Sequence, residues 1–216
     1  GEPLVTAKDM FSHRVSILTG HYGTGKTEVS VNLALALAAE GEQVMLADLD
    51  IVNPYFRSRE RRPLLEKAGV RVISSSQACS DADVPALPAE LLTILENREI
   101  RGILDIGGDP VGARVLARFQ PKIVQEDYQL IFVLNANRPE VRDAESAAAY
   151  LRSIEAVTGL TCSGLVNNTH LCGETTPAEI RKGAALAQEV SRQTGIPILC
   201  HTAERRFLES LSDLGE

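Results

Sequence analysis

One run near the N-terminus carries residues whose types and spacing suit a specific chemistry. Gly20-His21-Tyr22-Gly23-Thr24-Gly25-Lys26-Thr27 fits the pattern G-x-x-x-x-G-K-[ST]. An apolar run ends at Thr19 and a helical pattern opens at Lys26, which is the context in which that pattern wraps a phosphate chain. The glycines let backbone N–H groups curl around phosphate oxygens with no Cβ in the way. The helix N-terminus adds partial positive charge at the same place. Lys26 is expected to reach the β- and γ-phosphates, and the Thr27 hydroxyl to ligate Mg²⁺. Gly20, His21, Tyr22, Gly23, Thr24, Gly25, Lys26, Thr27 and Glu28 are therefore candidate nucleotide contacts.

A phosphate loop does not by itself make a hydrolase, so the acids matter. Asp105 ends an apolar run and opens Asp105-Ile106-Gly107-Gly108. An Asp there can hold Mg²⁺ directly or through water, and Gly108 can offer its N–H to a γ-phosphate, as D-x-x-G loops do. The plainer reading is an Asp capping a turn. Asp48-Leu49-Asp50 ends another run. Parallel α/β sheets place their sites at the carboxyl ends of strands, so this pair is expected on the same edge as the phosphate loop. Asp50 is the candidate for orienting the attacking water or a magnesium-bound water, with Lys26 as its catalytic partner. Asp48 is the candidate for structural and metal support. Thr27, Asp48, Asp50 and Asp105 form the expected metal set. Two solvated loop acids are the alternative for Asp48 and Asp50.

The elements that must position these residues follow from hydrophobic patterning. Aliphatic runs at 14–19, 43–47, 70–74, 102–106, 130–134, 164–166 and 198–200 read as strands. Stretches 26–39, 88–97, 114–125, 141–157 and 177–194 read as helices. Pro177 suits a first helical turn behind Thr175 or Thr176, and Gly41, Gly159 and Gly195 sit where helices should close. The alternation predicts a three-layer, doubly wound, mainly parallel sheet of P-loop NTPase type. The 216 residues suit one nucleotide-binding domain over 1–216.

Composition narrows the classes. Apolar residues make up 44% of the chain, enough for a sizeable core, and aromatics only 4%, so that core should be aliphatic. The net charge of −7 argues against nonspecific nucleic-acid binding. No apolar run is long enough to span a bilayer and no secretory signal stands at the start, so the expected location is cytoplasmic. Cys79, Cys162, Cys172 and Cys200 are scattered without a C-x-x-C, which favours reduced thiols. A cluster shared between two subunits stays open, because one Cys pair from each would suffice. Arg57, Arg59, Arg61 and Arg62, interrupted by Glu60, read as a solvated, salt-bridged loop or helix start. His170 and Cys172 form an isolated H-x-C pair, thin grounds for a metal site. The apolar residues of the C-terminal run 205–214 have helical spacing, and packing on the domain is preferred to membrane attachment.

The phosphate loop, the following Glu28-Val29-Ser30-Val31-Asn32-Leu33-Ala34-Leu35, Asp48-Leu49-Asp50 and Asp105-Ile106-Gly107-Gly108 together resemble the MinD/ParA-type ATPases. That group also holds the nitrogenase iron protein and several metal-cofactor insertion ATPases. The resemblance implies a doubly wound sheet, Mg-ATP binding and a homodimer, often nucleotide-dependent. Two departures stand out. The group's loop reads K-G-G-x-G-K-T, and its first Lys reaches the partner's phosphates; here that place is His21 and the next is Tyr22. A neutral imidazole is a weaker phosphate partner, and His21 either contacts phosphate or faces solvent. The second departure is Asn53-Pro54-Tyr55-Phe56-Arg57 at the switch I place. Its aromatics either seal the site, touch a partner or pack locally, and Arg57 could approach phosphate.

The iron-protein branch has an adenine-contacting Asn that falls on Asn168 by spacing from Gly164, and a turn at a strand end is the alternative. No N-K-x-D follows, which favours ATP over GTP. Asn135-Ala136-Asn137-Arg138-Pro139 would line the nucleotide side. The leading expectation is an Mg-ATP-driven switch acting on a protein partner, such as a metalloenzyme being matured, with slow, partner-stimulated hydrolysis. A ligase of the dethiobiotin-synthetase type, using residues 54–62 as a substrate pocket, is the alternative. A module that holds ATP with little turnover is the third reading.

Overall fold

The computed structural model describes residues 5–50, 58–74, 89–137, 143–169 and 176–202. Within them, aliphatic runs form seven strands: β1 Val15–Thr19, β2 Val44–Asp48, β3 Arg71–Ser74, β4 Arg101–Asp105, β5 Tyr128–Leu134, β6 Cys162–Asn167 and β7 Ile198–His201. The helices are α1 Ala7–Met10, α2 Lys26–Ala39, α3 Ser58–Lys67, α4 Glu90–Glu96, α5 Pro110–Ile123, α6 Ala144–Thr158 and α7 Pro177–Thr194. All ladders are parallel, in the order β3-β2-β4-β1-β5-β6-β7.

Side chains alternate across the sheet, and two cores result. Ile17 of β1, Ala47 of β2 and Phe132 of β5 pack on one face with Leu95 of α4, Val115 of α5, Leu151 of α6 and Val190 of α7. Leu18, Leu46 and Val133, each one residue away, pack on the other with Phe11 after α1, Leu33 of α2 and Leu65 of α3. This is the expected three-layer α/β fold. Strand β1 lies between β4 and β5, so successive connections leave it in opposite directions. Its carboxyl end is the crevice where such sheets bind ligands.

α2 and α7 span the predicted residues, and Thr176 with Glu179 forms the capping box that starts α7. Gly159 and Gly195 close α6 and α7 as expected. α5 begins at Pro110, four residues before the predicted start at 114, because the Asp109 side chain accepts from the N–H groups of Val111 and Gly112. α3 was expected as a solvated, salt-bridged loop or helix start; it is a helix, and Arg61 pairs with Glu28 and Arg62 with Glu66. The short α1 was not expected at all; Thr6 and Asp9 cap it reciprocally.

Candidate nucleotide-binding site

The phosphate loop joins β1 to α2. Gly25 is its N-cap with φ 80 and ψ 21, a left-handed conformation that penalises any Cβ. A Cβ there would also stand 2.3 Å from Asn168 Nδ2. Thr24 is 1% exposed and tightens the loop: its N–H and its hydroxyl both donate to the His21 carbonyl, at 3.3 and 3.0 Å.

Lys26 opens α2 and is 6% exposed. Its ammonium donates to Asp50 Oδ2, and to Asp105 Oδ1 at 3.1 Å. Burial alone would lower its pKa, but the charges of Asp105 and Asp50 and their hydrogen bonds outweigh that and raise it above the ordinary lysine value. The side chain is therefore a fixed cation clamped between two carboxylates. Asp48 and Asp105 stand level in the β2–β4 register, and the Asp50 N–H donates to Asp48 Oδ1 at 3.3 Å. The sheet thus brings Lys26, Asp48, Asp50 and Asp105 to one edge, with half-buried Thr27 on the next residue of α2. Among the described residues no group of three or more His, Cys, Asp or Glu is arranged to hold a metal by itself. A hydroxyl and a few carboxylates are nevertheless the hard oxygen donors that suit Mg²⁺, which keeps several waters and leans on phosphate oxygens.

Gly108 lies against the loop. A Cβ there would stand 2.6 Å from both the Gly20 carbonyl oxygen and the Tyr150 hydroxyl. That hydroxyl donates to the Gly108 carbonyl at 2.6 Å. His21 stacks on the Tyr150 ring, while Tyr22 is 67% exposed. Glu28 pairs with Arg61 at 3.1 Å and so ties α2 to α3. Asn168 is 2% exposed; its amide donates to the Thr24 carbonyl at 2.8 Å and its oxygen accepts from the Thr202 hydroxyl at 2.6 Å. It braces the loop from the β6 and β7 ends. Asn135 folds back to accept from the Asn137 N–H at 3.0 Å.

Sequence reasoning missed Tyr150, Thr202 and Asp109. Only Asp109 carried a signal, as an Asp before Pro110 at a helix start. Asn53 to Arg57, Cys79, Arg138, Pro139, His170, Cys172 and the C-terminal run lie outside the described residues. Cys162 and Cys200 are buried, and burial pushes the Cys162 thiol up to about 12. A cavity of about 600 Å³ opens beside α3 and β3, among Arg62, Glu66, Arg71 and Glu90. None of the candidate nucleotide contacts lines it. No described helix is long and apolar enough to cross a membrane.

Comparison with known proteins agrees with this geometry. Residues 10–59 match a ParA family model described as NUBPL iron-transfer P-loop NTPase. The cytosolic Fe-S cluster assembly factor cfd1 of Emericella nidulans is 36% identical over 95 residues, 44% of this chain and 26% of that protein. The iron-sulfur cluster carrier protein of Escherichia coli K12 is 50% identical over 40 residues, 18% of this chain and 11% of that protein. The chain thus spans about a quarter or less of the length of these relatives. Among solved structures, a nucleotide-binding protein from Archaeoglobus fulgidus in complex with ADP shares the fold with a TM-score of 0.52 at 18% identity, covering 98% of this chain and 92% of that one. Chloroplast FtsY from Physcomitrella patens gives a TM-score of 0.58 at 14% identity, covering 93% and 64%. In sheet order, phosphate loop and N-terminal match together, the chain has the α/β fold of P-loop NTPases and is similar to the MinD/ParA-like group.

Proposed function

We propose that the protein binds Mg-ATP and hydrolyses it slowly, and that the nucleotide state sets its affinity for a protein partner in iron–sulfur or other metalloprotein maturation. The observation that carries this reading is Lys26, buried on the loop between Asp50 and Asp105. The clamp satisfies the ammonium when no phosphate is there, and it holds the carboxylates at the edge where the β- and γ-phosphates would lie. On phosphate binding, Lys26 exchanges a carboxylate for phosphate oxygens, and Asp50 is then free to orient a water. Thr27 and Asp105 would hold Mg²⁺, with Asp48 supporting through water. When bound, the ion neutralises charge on the phosphate oxygens. Gly108, packed against Gly20, would sense the γ-phosphate, and its loop would relax on hydrolysis.

The iron–sulfur part rests on the names of the relatives, which cover short segments. Buried Cys162 and Cys200 are poor ligands for such cargo, so the reading places delivery with a partner or across a homodimer. A cytoplasmic setting accords with the cytosolic relative, and the acidic chain makes a nucleic-acid partner unfavourable. The test is solution mass by light scattering, together with ADP release, under no nucleotide, Mg-ATP and Mg-GTP, beside Lys26→Ala. Mass that doubles with Mg-ATP alone, with slow ADP release lost in the variant, is expected. Absence of any nucleotide binding by the unaltered protein would sink the reading. Binding with no change of mass would remove the ATP-dependent homodimer and leave the partner switch to a monomer.

A further inference from the structure

Tyr150, which no motif marks, links the phosphate loop to the loop after β4. It stands on α6 as the one aromatic of that helix. Its ring lies 3.6 Å from the His21 ring, centroid to centroid, with the planes 19° apart. Phe132 of β5 backs it in tilted contact at 5.9 Å. Its hydroxyl holds the Gly108 carbonyl at 2.6 Å. One half-buried side chain therefore touches the second residue of the phosphate loop and fixes the peptide that follows Gly108. Burial and the charge of Asp109 raise its pKa, offset in part by Lys26, so the phenol stays a protonated donor.

We propose that Tyr150 is a positioning residue for the γ-phosphate: holding the Gly108 oxygen toward α6 leaves N–H groups, and no carbonyl, facing the phosphate chain. This rests on the nucleotide reading above. A glycine peptide turns over readily, and a turned peptide would set a carbonyl dipole against an anion. ADP lacks the γ-phosphate and is indifferent to that peptide. The stack has a second effect. It keeps His21, which stands at the place of the group's reaching lysine, folded onto its own chain.

The test compares ADP and ATPγS affinities of the unaltered protein and Tyr150→Phe, which keeps the ring and loses the hydroxyl. Amide hydrogen exchange across residues 105–109 is followed without nucleotide. The expected result is unchanged ADP affinity, ATPγS affinity weakened about two- to tenfold, as one net hydrogen bond gives, and faster exchange in that segment. An unchanged ratio of the two affinities overturns the proposal. An equal loss for both nucleotides also overturns it, since that marks a merely structural role. If the unaltered protein binds neither nucleotide, the nucleotide reading fails and this role falls with it, and any exchange difference then records only packing.

Discussion

The sheet buries a cation at each end of its strands, and the two are held in opposite ways. At the amino end, Arg14 precedes β1. Its guanidinium donates to the carbonyls of Ile94, Asn97, Ile100 and Leu95 at 2.8 to 3.1 Å, and pairs with Glu126 at 3.1 Å. At the carboxyl end, Lys26 follows β1 and is held by two side-chain carboxylates. The Arg14 partners are mostly backbone oxygens that cannot leave, and a rigid fork matches several of them at once. The Lys26 partners are two side-chain carboxylates, and on the proposed reading a point charge on a flexible stem trades one of them for phosphate. One end is thus a fixed staple and the other an exchangeable contact, although both ions are nearly out of water.

The largest effect should come from Lys26→Ala. ATP hydrolysis should fall on the order of 10²-fold or more, the scale for losing a preorganised charge at a phosphoryl site, measured by ADP release. Arg14→Met is the counterpart. It leaves several part-buried carbonyls without their donor, while Glu126 keeps its pair with Arg98, and should cost about 1–3 kcal/mol in urea unfolding, with ADP affinity unchanged in the folded protein. If Arg14→Met weakens ADP binding as much as Lys26→Ala does, the division between staple and exchangeable contact breaks.

The smallest effect should come from Asp127→Asn, beside the staple. His13 bonds Asp127 at 2.6 Å, but their side chains are 43% and 62% exposed. Partial burial would raise the Asp127 pKa; the His13 hydrogen bond, the Arg14 N–H, and the charges of His13 and Arg101 outweigh it and hold it below the usual 3.8. A depressed carboxylate contributes stability that is complete above its unfolded value and lost as pH falls through the lower folded one. With solvent screening the contribution is about 0.5 kcal/mol. The variant should therefore lose little at pH 6, and its stability should fall less steeply than the parent's below about pH 4. Urea unfolding at both pH values checks this, and a parent and variant with identical acid slopes would remove Asp127 from the staple.

The exchangeable end was the more legible in the sequence. Gly25, Lys26 and Thr27 are nearly obligatory types at fixed spacing, and Asp48 and Asp105 end aliphatic runs that only buried parallel strands explain. The staple was illegible, because Arg14 works through backbone carbonyls, which any residue supplies. α3 hid behind a run of arginines, and the pairing of Arg61 with Glu28 depends on how α2 and α3 meet. Tyr150 hid in an alanine-rich helix with no spacing to mark it. Asn168 was legible as a strand-end amide, but its bond to the Thr24 carbonyl joins residues 144 apart, beyond any local pattern.

The strand order also sets a timetable for synthesis. β1 is made before its ladder partners β4 and β5, which end at Asp105 and Leu134. A nascent chain that has passed the phosphate loop has nothing to pair β1 against until those later strands leave the ribosome. The brace from Asn168 and Thr202 comes later still. Non-local parallel pairing of this kind is slow and leaves aliphatic strands exposed meanwhile. The phosphate loop is therefore translated well before the strands that complete its surroundings, and in that interval its aliphatic strand needs protection from aggregation.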